Sequence, residues 1–262
     1  MRQHSNAYII GFAAVVCLVC SIVVSSAAVA LRPRQLENKE LDRQKQVLTV
    51  AGLIGAGQSV TSEDVQRLFD ESIVARAVEL SSGAYDESVD PATYDQRKAE
   101  KDPAMSRPAP PNNAGLQRLP NTAVIYQKVV DDDIEMVILP IEGKGLWSTL
   151  YGFIALAPDG STIEGITFYE HGETPGLGGE IENPSWKALW PGRQAFDASG
   201  DLAIEVIKGH AGPPAADPHR VDGLSGATIT ARGVSHLVRF WLSDEGFGPY
   251  LERYRSEIGG AA

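Results

Sequence analysis

Two short segments hold residue types that could do chemistry. The first, DGLSGATIT at 222–230, runs directly into a helical pattern, ATITARGVSHLVRFWL, whose Val234, Leu237, Val238 and Trp241 share an apolar face. Ser225 or Gly226 stands where a cap belongs, which places Thr228 in the first turn. A hydroxyl there sits among free backbone N–H groups at the positive end of the helix dipole. Such a place holds a phosphate, including one bonded covalently to the hydroxyl. Gly223 and Gly226 leave room for a large enzyme or cofactor to approach. The same residues also compose an ordinary capping turn. The second segment, HGETPGLGGE at 171–180, packs four glycines and Pro175 into ten residues, which forbids a regular element and lets the backbone approach a flat ligand closely. Glu173 and Thr174 offer hydrogen-bonding groups, Gly176 and Gly178 offer bare backbone, and Leu177 offers an apolar face. The loop reads as a cradle for a planar heteroaromatic ring, or as a Gly-rich surface loop. His171 has neither a cysteine partner nor HxxxH spacing, so no metal is assigned to it.

The elements that must position these segments are mostly strands. AVIYQKVV (123–130) and DIEMVILPIEG (133–143) flank an acidic turn, Asp131 to Asp133, and read as a hairpin. LYGFIALAP (150–158) and STIEGITFYEH (161–171) bracket Asp159-Gly160, a strong hairpin signal. LAIEVIKG (202–209) reads as a further strand. Helices are expected at about 227–242 and 249–257. Toward the amino end, 35–53 has few turn formers and reads as a helix continuing from the apolar run before it. TSEDVQRLFDESIVARAVEL (61–80) reads as a second helix, capped by Thr61 or Ser62 and striped by Leu68, Ile73 and Val74. Residues 81–120, rich in Asp, Pro, Ser and Asn, read as a loop or poorly packed connector. Strands in the middle and helices at the ends predict an α+β fold with a mainly antiparallel sheet.

Residues 9–31 form a run of 23 without a charge, enough as a helix to cross a hydrocarbon layer of about 30 Å. Ser25, Ser26, Ala27 and Ala28 are small enough for a signal-peptide cleavage site. The run nevertheless exceeds the roughly 7–15 apolar residues of a signal core and stops at Arg32 and Arg34, so it reads as an uncleaved anchor. The expected organisation is a tail at 1–8, a transmembrane helix at 9–31, a helical and loop-rich membrane-proximal region at 32–120, and a ligand-binding domain at 121–262. Lys+Arg 23 against Asp+Glu 34 gives −11, which argues against nucleic acid as a partner. The only cysteines, Cys17 and Cys20, lie in the apolar run, where they read as small packing residues. No disulfide framework and no thiolate metal site is available after them.

Taken together, the two motifs and the segment GKGLWSTLYGFIAL (143–156) resemble the flavin-binding C subunits of bacterial sodium-translocating NADH:quinone oxidoreductases. The resemblance covers most of the chain, residues 81–120 least. It implies FMN bound covalently through a phosphoester to Thr228. It also implies a flavin transferase that installs FMN from FAD by recognising Asp222, Gly223, Ser225, Gly226, Ala227 and Thr228. Ser225, Gly226 and Ala227 would lie at the cofactor, and Glu173, Thr174, Gly176, Leu177 and Gly178 would cradle the ring. The implied role is relaying electrons between other redox centres of a complex that couples NADH oxidation by quinone to sodium export. The chain has no GxGxxG after a strand, which leaves NADH to a different protein of that complex. Its span also lacks the acids that an ion path would want.

Two rival readings remain open on the residues. One is the related flavin protein of ferredoxin-linked Rnf complexes, their G subunit, which shares both motifs and the single anchor. The other is a membrane-anchored scaffold without redox chemistry. Orientation sets two arguments against each other. Arg32, Arg34, Lys39, Arg43 and Lys45 outnumber Arg2 and the terminal amine, which favours a cytoplasmic domain. The resemblance implies a bacterial inner-membrane protein with its soluble domain in the periplasm.

Overall fold

The computed structural model describes residues 5–55, 58–131 and 133–259. Residues 1–4 of the expected tail, Arg2 among them, and Asp132 of the expected acidic turn lie outside these. In chain order the helices are α1 (Asn6–Val50), α2 (Ser62–Ser72), α3 (Gln96–Lys101), α4 (Pro184–Lys187), α5 (Thr228–Trp241) and α6 (Gly248–Gly259). The strands are β1 (Ile73–Glu79), β2 (Ser106–Pro108), β3 (Arg118–Pro120), β4 (Thr122–Val130), β5 (Asp133–Lys144), β6 (Thr149–Leu156), β7 (Thr162–Glu170), β8 (Arg193–Gln194), β9 (Glu205–Val206) and β10 (Arg220–Val221). The fold is α+β, as expected.

The chain divides into two compact units, residues 1–43 and 44–262. The first is the greater part of α1, which is long and apolar enough to cross a membrane and buries none of its apolar window. The helix runs on from the apolar span as expected, with Pro33 inside it, and ends at Val50. Gly52, at φ 72, then supplies the left-handed residue that commonly closes a helix.

The second unit is built on a six-stranded antiparallel sheet in the order β1-β4-β5-β6-β7-β8. Both expected hairpins form. Asp131 turns the first with φ 51, which an Asp tolerates better than most side chains. In the second, Gly160 takes φ 64 while Asp159 Oδ1 accepts from the amides of Ser161 and Thr162, each at 2.8 Å. Alternation along β5 sends Val137, Leu139 and Ile141 into the main core with Val234, Leu237, Val238 and Trp241 of α5. The opposite face, with Tyr126, Ile138 and Phe153, is covered by α2 and the last turns of α1. Phe69 meets Tyr126 edge-on at 5.9 Å, and Thr167 donates to Gln46 at 2.9 Å.

Three expectations fail. The second helix stops at Ser72, and Ile73 to Glu79 pair with β4 as a strand, so Ile73 and Val74 belong to no helical stripe. Thr61 does cap α2, accepting from the Asp64 amide at 3.1 Å. Residues 81–120 are packed rather than loose: Ala114 and Leu119 join the core, and Tyr94 donates to the Thr122 carbonyl at 2.8 Å. The expected strand at 202–209 is broken up: Glu205 and Val206 pair in parallel with β10, and Leu202 makes a single antiparallel bridge to Phe196.

Candidate functional site

The first residue of α5 is Thr228, and its capping position is taken by Ala227, with φ −129 and ψ 43 and no side-chain cap. The expected caps, Ser225 and Gly226, do not cap; Gly226 instead makes the approach turn at φ 71. The amides of Thr228, Ile229 and Thr230 find no acceptor among the described residues. A helix start with exposed Thr228, three free N–H donors and no internal acceptor suits an anion. The preceding residues are anchored. Asp222 Oδ1 accepts from the Ala211 amide at 2.8 Å, and its Oδ2 lies 2.7 Å from His210 Nδ1. Burial acts to raise the Asp222 pKa, but these bonds prevail and hold it below the usual carboxylate value. Trp186 donates to the Asp222 carbonyl at 2.9 Å, and a side chain at Gly223 would strike the carbonyl of Ile207.

The Gly-rich loop reaches the same place from the end of β7. Glu173 is only 5% exposed and points inward. Its Oε1 accepts from the amides of Trp147 at 2.9 Å and Ser148 at 3.2 Å. Its Oε2 accepts from the Leu146 amide at 3.2 Å and from the hydroxyl of Thr230 at 2.5 Å. Burial acts to raise its pKa, but the donors from Thr230, Trp147, Leu146 and Ser148 outweigh burial and keep it lowered. One carboxylate thus fastens three segments: the β5–β6 turn, the Gly-rich loop and the first turn of α5.

The glycines show how closely these segments meet. A Cβ at Gly178 would lie 2.6 Å from Thr230 Oγ1 and 2.7 Å from Glu173 Oε2. At Gly226 it would lie 2.9 Å from Leu177 Cδ2, so the loop touches the approach to Thr228. Gly176 takes φ 75 over open space. Thr174 presents its side chain to solvent, while its carbonyl accepts from Leu177 at 3.1 Å and Gly179 at 3.0 Å. Four large apolar side chains stand exposed on these segments: Leu146, Trp147 (71% exposed), Leu177 and Ile229. A donor-rich anion seat beside a bare, partly apolar cradle is the arrangement a phosphate-bearing planar cofactor needs.

A family model described as an FMN-binding domain matches residues 145–243, which span all three segments. The C subunit of the Na(+)-translocating NADH-quinone reductase of Pseudomonas aeruginosa is 48% identical over 257 residues, covering 97% of this chain and 98% of that protein. This chain belongs to that C-subunit family. The corresponding protein of Yersinia pestis is likewise 48% identical, over 92% of this chain and 90% of its own length. The crystal structure of Shewanella oneidensis NqrC superimposes with a TM-score of 0.77 at 34% identity, covering 84% of this chain and 99% of that one. The C-subunit structure from Parabacteroides distasonis gives 0.65 at 29% identity, covering 84% and 96%.

Within this C-subunit fold, the residues singled out in the sequence converge. Thr228, Ser225, Gly226, Ala227, Leu177 and Gly178 lie at or beside the helix start, while Thr174 and Gly176 are exposed elsewhere in the loop that reaches it. Asp222 and Gly223 are set back against residues 207–211. Glu173 sits beneath the cradle, not at its surface. Sequence reasoning missed Thr230, which joins the two motifs, and the turn at 145–148. The available signal was the GKGLW run, in which Gly145 brings the chain close to Glu173 and Trp147 is left exposed. Among the described residues no cluster of three or more His, Cys, Asp or Glu side chains is set to hold a metal.

Proposed function

We propose that FMN is joined by a phosphoester to Thr228 and serves as a fixed electron relay in the sodium-translocating NADH:quinone reductase. The observation that carries this reading is the uncapped start of α5, with exposed Thr228 two residues beyond Gly226, against which Leu177 packs, and its helix turn tied to Glu173 through Thr230. When bound, FMN supplies one- and two-electron redox chemistry, while the protein supplies position and electrostatics. The three free amides and the helix dipole would hold the phosphate. Thr174, Leu177 and exposed Trp147 would bound the ring, with Gly176 giving it room, while bare Gly178 lets the loop close on Thr230 and Glu173 beneath. In the transferase reaction with FAD, the Thr228 hydroxyl oxygen bonds the flavin-side phosphorus. The pyrophosphate link breaks, and AMP leaves as the hydroxyl proton is released. The transferase meets Ser225, Gly226 and Thr228 at the surface, with Ala227 buried between them, while Asp222 and Gly223 fix how they are presented.

In this reading residues 9–31 anchor the chain in the bacterial inner membrane, 32–120 form the membrane-proximal part and 121–262 the flavin-binding part, in contact with the other subunits of the complex. The amino terminus lies in the cytoplasm and residues 32–262 in the periplasm, since large domains translocate with little regard to flanking charge. Phosphatase fused after the last residue should be active and a fluorescent protein there dark; the reverse pair would put the domain in the cytoplasm. For the cofactor, wild-type chain from a flavinylating host should fluoresce on a denaturing gel, and Thr228→Ala should not. A fluorescent Thr228→Ala band would move the attachment elsewhere.

A further inference from the structure

We infer that His171 is a positioning residue of the flavin loop, its imidazole bracing the backbone of Glu173 at one nitrogen and facing Glu182 with the other. The inference rests on the flavin reading for its purpose but not for its geometry. Nδ1 accepts from the Glu173 amide at 3.1 Å, and Nε2 stands 3.0 Å from Glu182 Oε1, beyond the far end of the Gly-rich stretch. The imidazole is 9% exposed and lies along Gly179, where a Cβ would come 3.8 Å from Cε1. Nε2 has no aligned hydrogen bond among the described residues, so the firm tie is at Nδ1 and Glu182 is a close neighbour on the other side.

Chemistry selects one tautomer. A backbone N–H can only donate, so Nδ1 must keep its lone pair, and the proton of the neutral ring sits on Nε2, toward the carboxylate. The brace matters because of what Glu173 does. Its amide is held by His171, while its carboxylate gathers the amides of Leu146, Trp147 and Ser148 and the hydroxyl of Thr230. Freeing the amide lets the backbone of Glu173 shift, and with it the register between the loop carrying Leu177 and the helix start carrying Thr228. His171 touches neither segment's exposed surface, so it acts through Glu173.

Two substitutions divide the nitrogens. His171→Asn puts a carbonyl oxygen near the place of Nδ1 and nothing near Nε2; His171→Gln reaches toward the place of Nε2 and leaves the Glu173 amide unmet. In the full-length chain carrying Thr228→Ala, hydrogen exchange at the Glu173 amide should speed by about tenfold with His171→Gln or His171→Ala and stay near the parent rate with His171→Asn. In the Thr228 chain, His171→Gln should shift the visible flavin band and midpoint potential, with His171→Asn restoring both. Nitrogen NMR of the unmutated chain should show His171 protonated at Nε2 alone when neutral, a result independent of any variant's folding. Unchanged Glu173 exchange in His171→Gln, His171→Asn no better than His171→Gln, or a proton on Nδ1 would each overturn the inference. A wild-type peptide over residues 222–230 that carried no flavin would instead overturn the reading on which it rests, leaving the exchange result intact.

Discussion

At the scale of single residues, Glu173 and Leu177 are neighbours in one motif with opposite duties. Glu173 is buried and accepts four hydrogen bonds, three of them from backbone amides. Removing it leaves those donors without a partner, which costs about 1–3 kcal/mol per strongly buried group and less where water can enter. Glu173→Ala should therefore lower the stability of the domain by about 2–4 kcal/mol in urea unfolding, with or without flavin. Leu177 is exposed, so Leu177→Ala should change stability by less than about 1 kcal/mol while shifting the flavin spectrum and preserving covalent attachment. A spectrum insensitive to Leu177 would place the ring elsewhere. The two motifs were legible as sequence because glycine, proline and a hydroxyl before a helix have narrow structural meanings. The inward turn of Glu173 was not, since a carboxylate in a glycine-rich loop gives no sign of whether it meets a ligand or its own chain. Thr230 was invisible for the same reason: it differs from Thr228 only in which side of the helix it faces.

Among the elements, α5 is held to the sheet by close approach rather than by large side chains alone. A Cβ at Gly143 would lie 2.6 Å from Leu237 Cβ, and one at Gly233 would strike the carbonyl of Lys144. Gly233→Ala improves helix propensity but forces α5 away from β5, and overpacking of this kind costs about 1–3 kcal/mol. Its unfolding midpoint in urea should fall despite the better propensity; a rise would mean the helix has slack. The hairpins of β4–β5 and β6–β7 were readable because their turns carry Asp and Gly where left-handed backbone is needed. Strand β1 was not. Its sequence, IVARAVE, follows a capped helix without a break in polarity, and only pairing with β4 decides that β-branched Ile73, Val74 and Val78 extend. The stretch at 81–120 looked loose for want of apolar residues, yet a few of them, Ala114 and Leu119, suffice to dock it.

Across the whole molecule, one buried acid away from the flavin site predicts how stability follows pH. Glu142 on β5 is pushed up from 4.5 to about 8, first by burial and then by the negative charge of Glu100, to whose carboxylate it donates; Arg97 and Lys101 oppose the shift. The folded chain therefore binds this proton more tightly than the unfolded chain. The resulting stabilisation is complete below about pH 4.5 and is lost as pH rises through about 8. Between those values the unfolding midpoint should fall with rising pH, and Glu142→Gln should flatten that slope; an unchanged slope would assign it to other groups. The central claim is the bond at Thr228, and the mass of the chain taken from its native membrane tests it most directly. The intact chain should carry the mass of one FMN less one water, and fragmentation should place that addition on Thr228 within residues 222–230. A native chain at its unmodified mass, or with flavin on another residue, would contradict it.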